Sequence, residues 1–189
     1  MIDNKHISFI GAGSMAESII GGLLDEKLVS SDYITVTNHS KEQRLVDMEK
    51  NYGVNTTSTP MEAAKKADII ILAVKPKHIE EALASITGEI TENKLVLSVL
   101  AGITTSYIES LLENEVPVVR VMPNTSAKVG ASATALSSGY FAAKSYGSSS
   151  CFIFCHRYRH DSRGISFRCC NRHFRKRSRL FLLFRRSDE

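Results

Sequence analysis

Gly11-Ala12-Gly13-Ser14-Met15-Ala16 combines small residues, where main chain must come close to something, with the start of a helical pattern. In such a GxGxxG/A arrangement the first glycine permits a tight turn and the second lets backbone approach a pyrophosphate. A small residue at the third place, here Ala16, allows close packing of helix on strand. A helix starting at this point would direct its unpaired N–H groups and the positive end of its dipole at the phosphates. A bare glycine turn is the competing reading. The context decides against it, because HISFIG before the turn reads as a strand, and Met15, Ile19, Ile20 and Leu23 after it recur at helical spacing. The chemistry expected is dinucleotide binding.

The second strand, YITVTN, is followed by Thr37-Asn38-His39-Ser40-Lys41. An NAD-preferring site usually has an acid there to accept hydrogen bonds from the ribose hydroxyls. With no carboxylate there is nothing to repel a 2′-phosphate, and Asn38, Ser40 and Lys41 could donate to one. NADP(H) is therefore favoured over NAD(H), against the plainer reading of a polar loop. In an open sheet the ligand lies beyond the carboxyl ends of the strands. The loops Ala73-Val74-Lys75-Pro76, Leu100-Ala101-Gly102 and Met122-Pro123-Asn124-Thr125 should then line the nicotinamide half. Lys75 reads equally well as a solvated lysine at a helix start.

The elements that must carry these loops alternate along the chain. A polar helix is expected from about 41 to 50. Thr59-Pro60-Met61-Glu62 has the form of a capping box with proline at the first helical position. DIIILAVKP is an unbroken apolar run suited to a strand buried on both faces. Ile79, Ala82, Leu83 and Ile86 mark a helix, KLVLSVLAG a strand, Ile108, Leu111 and Leu112 a helix, and VPVVRVMPN a further strand. Strands alternating with helices imply an α/β, Rossmann-like, doubly wound and mainly parallel sheet. Glycine, serine and alanine thin the pattern between residues 130 and 150.

Composition divides the chain near residue 150. The last 39 residues hold all four cysteines, three of the six histidines and ten of the twelve arginines, with eleven Lys and Arg against three acids. The first 150 carry thirteen against seventeen, so the formal charge of +4 describes neither part and is no sign that the body binds nucleic acid. The opening MIDNKHISFIG has too short an apolar run for a signal peptide or a membrane span. With no cysteine in the body, a cytoplasmic location is expected.

FIGAGSMAESIIGG, ILAVKP, LSVLAGI and RVMPNTSAKVGASATAL, in this order, resemble the N-terminal domain of pyrroline-5-carboxylate reductase over about residues 5 to 142. The AVKP and MPNT elements are far more specific than the glycine motif. The runner-up is the beta-hydroxyacid dehydrogenase group, which shares the glycine loop. The resemblance implies NAD(P)H-dependent reduction of 1-pyrroline-5-carboxylate to proline. It implies that Ile10, Gly11, Ala12, Gly13, Ser14 and Met15 hold the pyrophosphate, and Asn38 and Ser40 the ribose phosphate. Ala73, Val74, Lys75 and Pro76 would meet the central part of the cofactor, and Ala101, Gly102 and Asn124 would approach the nicotinamide. Ser126 stands where the family usually has proline. No contact is carried to Pro60, where many relatives have a polar residue.

The family continues into an all-helical dimerisation domain with an SGSGPAY segment at the substrate site, and residues 145–189 as written do not resemble it. Arginine codons of the CGN type, however, read one base later, become GNN codons for Gly, Ala, Val, Asp or Glu. RCCNRHFRKRSRL, residues 168–180, permits DAVTGISGSGPAY in that frame. The expectation is a Rossmann domain over residues 1–144, then a basic, Cys- and Arg-rich tail over 145–189 that is out-of-frame translation, disordered, and stands in place of the helical domain. Such a chain offers no catalytic residue that can be named, and its reductase activity should be absent or impaired. The homo-oligomer of the family is doubtful for it. Read at face value instead, Cys151, Cys155, His156, His160, Cys169, Cys170 and His173 fit no regular zinc spacing. The arginines would make an unspecific nucleic-acid arm, and LFLLF is too short to span a bilayer.

Overall fold

The computed structural model describes residues 5–39, 42–123, 133–146 and 152–155. The first strand, β1 (Ile7–Ile10), is buried along its whole length and runs through the three-residue turn Gly11-Ala12-Gly13 into α1 (Ser14–Asp25). Then follow β2 (Ile34–Thr37), α2 (Glu42–Tyr52), β3 (Asn55–Thr57), α3 (Pro60–Lys66) and β4 (Ile69–Leu72). Next come α4 (Ile79–Ala84), β5 (Leu95–Ser98), α5 (Thr105–Ser110) and β6 (Val118–Pro123). The described part ends with β7 (Ala133–Ser138), α6 (Tyr140–Tyr146) and β8 (Phe152–Cys155).

The strands form one sheet in the order β3-β2-β1-β4-β5-β6-β7-β8. Pairing is parallel from β3 to β6, and β7 and β8 add on antiparallel. The chain winds outwards from β1 in one direction and then from β4 in the other. That reversal leaves a crevice between the C-terminal ends of β1 and β4, the place where open α/β sheets bind ligands.

Alternation along the central strands sends Ile7 and Phe9 into a core shared with Ile20, Leu23, Leu45 and Met48 of α1 and α2. Ile10, Ile70 and Leu72 enter a second core with Ala63, Ala64, Ile79, Leu83 and Ile108 of α3, α4 and α5. Both faces are covered, which is why Ile69-Ile70-Ile71-Leu72 can be apolar at every position.

Two local expectations came out differently. The helix at Pro60 begins where the sequence places it, but Thr59 makes no side-chain cap bond. Glu62 instead accepts from Thr57 Oγ1 at 3.0 Å, while Thr57 Oγ1 accepts from Thr59 N at 3.1 Å. Thr57 Oγ1 thus takes the Thr59 N–H that Glu62 would accept directly in a capping box, and relays the contact to Glu62 by donating to it. β3 and β7 have no counterpart among the strands expected from the sequence. β3 is three residues at a sheet edge, and β7 is built of Ala, Thr, Leu and Ser, so neither shows a strong apolar alternation.

Candidate functional site

The turn after β1 is fixed at both ends by main chain. Gly11 N donates to Thr37 O at 2.9 Å, tying the turn to β2, and Ala73 N donates to Ile10 O at 2.9 Å, tying it to β4. Gly11 lies at φ +111, in the left-handed region, and a Cβ built on it would stand 2.6 Å from Ala73 O. No other residue type fits there without moving the β4 loop.

Gly13 precedes α1 in extended conformation and makes no side-chain cap. A Cβ on Gly13 would make ordinary contact with Ala73 O at 3.8 Å, so nothing in the protein itself requires glycine there. Gly13 and Ser14 are exposed, whereas Ile10, Gly11 and Ala12 are buried beneath them and Met15 is half-buried. The first turn of α1 therefore presents backbone, without a competing side-chain cap, at the mouth of the crevice.

Opposite this turn, Ala73 and Val74 are half-buried and Lys75 and Pro76 exposed. Lys75 stands at the N-cap of a short 3₁₀ turn, Pro76–His78, and makes no side-chain cap bond. Ala101 and Gly102 are exposed beyond β5, with Gly102 at φ +77. Asn38 is half-buried and follows β2 directly. The structure thus gathers Ile10, Gly11, Ala12, Gly13, Ser14, Met15, Asn38, Ala73, Val74, Lys75, Pro76, Ala101 and Gly102 on the C-terminal edge of the sheet. Ser40 and Asn124, also singled out from sequence, lie outside the described residues, as does Lys41.

Three further residues belong to this region and carry no sequence signal of their own. Arg44 on α2 donates from Nε to Ala12 O at 3.2 Å and from Nη2 to Glu17 Oε2 at 2.8 Å. The Glu17 bond, more than any other influence, holds the Arg44 guanidinium above its ordinary pKa, so it is a fixed positive charge. Burial first, and Glu17 second, raise the Tyr52 phenol. Thr37 Oγ1 is buried without a hydrogen-bond partner among the described residues. An orphaned polar atom beside a glycine cradle is what a polar ligand at the end of β2 would satisfy. Arg120 Nε, on β6 in register with Ser98, is the other such atom.

Among the described residues no group of His, Cys, Asp and Glu could hold a metal ion, and no helix is long and apolar enough to cross a membrane. The cysteine and histidine set of the tail lies largely outside the described residues. Within it, residues 152–155 pair with β7 as β8.

The family model described as NADP oxidoreductase, coenzyme F420-dependent, matches residues 6–102, about half of the chain. A curated relative, pyrroline-5-carboxylate reductase 1 of Bacillus spizizenii, is 48% identical over 141 residues, covering 75% of this chain and 48% of its own. Among solved structures, a pyrroline-5-carboxylate reductase from Coxiella burnetii superposes with a TM-score of 0.67 at 37% identity, over 74% of this chain and 51% of that one. The pyrroline carboxylate reductase of Plasmodium falciparum with NADP bound gives 0.63 at 27% identity, over 73% and 49%. The chain spans about half the length of the curated relatives it matches. By the extent of the family match, with the fold and the glycine turn in agreement, the chain belongs to the NADP oxidoreductase, coenzyme F420-dependent family, and it carries an N-terminal domain of the pyrroline-5-carboxylate reductase kind.

Proposed function

We propose that this chain binds NADP(H) across the C-terminal edge of its sheet and is the cofactor half of a pyrroline-5-carboxylate reductase, an enzyme of proline biosynthesis. The observation that carries the reading is the turn at Gly11, whose φ of +111 and 2.6 Å approach to Ala73 O admit only glycine. With Gly11 held against Ala73, the exposed Gly13 and Ser14 at the start of α1 would offer their backbone N–H groups to a pyrophosphate. The absence of an acid at Asn38 and His39 suits a 2′-phosphate, and the nearby Glu17 is already neutralised by Arg44.

Bound there, the reduced nicotinamide supplies a hydride to the C=N carbon of 1-pyrroline-5-carboxylate. The residues of this chain do the holding. Gly13 and Ser14 bind the pyrophosphate above the tight turn made at Gly11, Asn38 and Ser40 hold the ribose phosphate, and Ala73, Val74, Lys75 and Pro76 support the centre of the cofactor. Ala101, Gly102 and Asn124 flank the nicotinamide and shield it from water. Contacts to the substrate ring and its carboxylate are expected from the helical domain of the intact enzyme, a homo-oligomer of the cytoplasm.

Residues 145–189, in this reading, are a frame-shifted translation of that domain, and the 189-residue chain reduces pyrroline-5-carboxylate poorly or not at all. Three measurements test these statements. Titration with NADPH, followed by its fluorescence, should saturate with the purified chain and fail after Gly11→Ala; no saturable binding to the wild type would refute the cofactor assignment. Sequencing the coding DNA from codon 142 onwards should show a one-base shift against SGSGPAY. Proline formation should appear with the frame-restored protein and not with this chain.

A further inference from the structure

Resting on that NADP(H) reading, we infer that Arg44 is a positioning residue for the phosphate cradle, fixing the Ala12–Gly13 peptide plane so that the Gly13 N–H faces the ligand. Among the described residues there is no cis peptide bond, so the C=O of Ala12 and the N–H of Gly13 point to opposite sides of their shared plane. Ala12 O accepts from Arg44 Nε at 3.2 Å, on the side of α2. The Gly13 N–H is thereby turned away from α2, towards the mouth where Gly13 is exposed.

Glycine makes such a lock necessary. Rotating the Ala12–Gly13 plane by half a turn changes ψ of residue 12 and φ of residue 13, and glycine accepts the resulting positive φ at no steric cost. Gly13 stands at φ −76, a value that any residue adopts, so its own conformation does not select one orientation. A flipped plane would aim a carbonyl oxygen at the pyrophosphate. The residue that lets the phosphate approach is therefore also the one that leaves the donor free to turn, and Arg44 removes that freedom.

The arginine is held in turn. Its Nη2 donates to Glu17 Oε2 at 2.8 Å, using the same edge of the guanidinium as Nε. Glu17 N donates to Gly13 O at 3.0 Å. Both carbonyls flanking the Gly13 N–H are thus engaged, one by Arg44 and the other by the residue that anchors Arg44. A lysine at this place carries the charge but has no fork to hold both partners.

The test uses the 189-residue chain labelled with ¹⁵N-glycine, titrated with NADPH and separately with NADH, as wild type, Arg44→Met, Arg44→Lys and Glu17→Gln. Saturable binding by the wild type comes first, since its absence would remove the cofactor reading itself rather than the role of Arg44. Given that binding, Arg44→Met should weaken NADPH and NADH by a similar factor, about tenfold, because the pyrophosphate is common to both. The Gly13 amide signal should broaden in Arg44→Met while Gly53 and Gly88, far from the turn, stay unchanged. Arg44→Lys should recover part of both signs. Glu17→Gln, which loosens the guanidinium but leaves it in place, should show them at smaller size and decides the question if Arg44→Met does not fold. Unchanged affinity with a sharp Gly13 signal would overturn the inference. A loss confined to NADPH would overturn it too, by showing that Arg44 contacts the 2′-phosphate directly.

Discussion

At the scale of single residues, the site is governed by where a Cβ is forbidden and where a charge is tied. Gly11 could be assigned from sequence because the constraint is local: strand, turn and helix follow one another within a few residues. Arg44 could not, because its partners Ala12 and Glu17 lie about thirty residues earlier and only the packing of α2 on α1 brings them together. Asp68 is a similar case away from the site. Burial works to raise its pKa, but the Lys5 ammonium and the His6 N–H at 3.0 Å outweigh burial and hold the carboxyl below its ordinary value. A carboxyl depressed on folding contributes stability that is present above its unfolded pKa, about 3.9, and is lost as pH falls through the lower folded value. Asp68→Asn should therefore lower the melting temperature at pH 7 and flatten its fall below about pH 4. A pH series of thermal melts on the two proteins checks this, and parallel curves would count against it.

Elements raise a different problem, since short helices must be closed at ends that the sequence does not cap. α3 has only seven residues and finishes at Lys66 without a glycine. Its last carbonyls are satisfied from a distance, by Lys94 Nζ donating to Ala64 O at 2.8 Å, Lys65 O at 3.0 Å and Ala67 O at 2.8 Å. An ammonium at a helix C-terminus is favourable to the dipole as well as to the hydrogen bonds. The position of Lys94 just before β5 explains how: β5 runs beside β4, which α3 precedes. Lys94→Met keeps the stem and removes the donors, and should cost about 1–3 kcal/mol in denaturant unfolding. A change below about 0.3 kcal/mol would show that water replaces the ammonium without loss. The sequence showed that a helix starts at Pro60, because proline and the polar residues before it act locally. It did not show what ends that helix, because the donor comes from the distant loop that leads into β5.

For the whole molecule, one sheet with two cores makes the cofactor edge independent of the far strands. Among the described residues β8 pairs only with β7, and in the sheet order four strands, β4, β5, β6 and β7, stand between it and β1. Ending the chain at residue 146 should thus leave NADPH affinity within about twofold, since sites that share no partners behave additively. The exposed edge of β7 should instead raise aggregation, seen by light scattering. A large loss of NADPH affinity would show that the end of the chain supports the cofactor edge. In the middle of the sheet, Ile70→Ala should cost about 2–5 kcal/mol, because Ile70 is fully buried in the core shared by α3, α4 and α5. A smaller loss in chemical unfolding would mean that this core collapses onto the cavity. The sequence alone determined the alternation of strands and helices, the buried character of β4, and the glycine turn, since each rests on periodicity or local sterics within one segment. Only the tertiary structure decided the antiparallel β7 and β8, the lysine that closes α3, the orphaned hydroxyl of Thr37 and the grip of Arg44 on Ala12. Each of these depends on groups distant in sequence meeting within hydrogen-bond range, or failing to, and such meetings are set by how the layers pack.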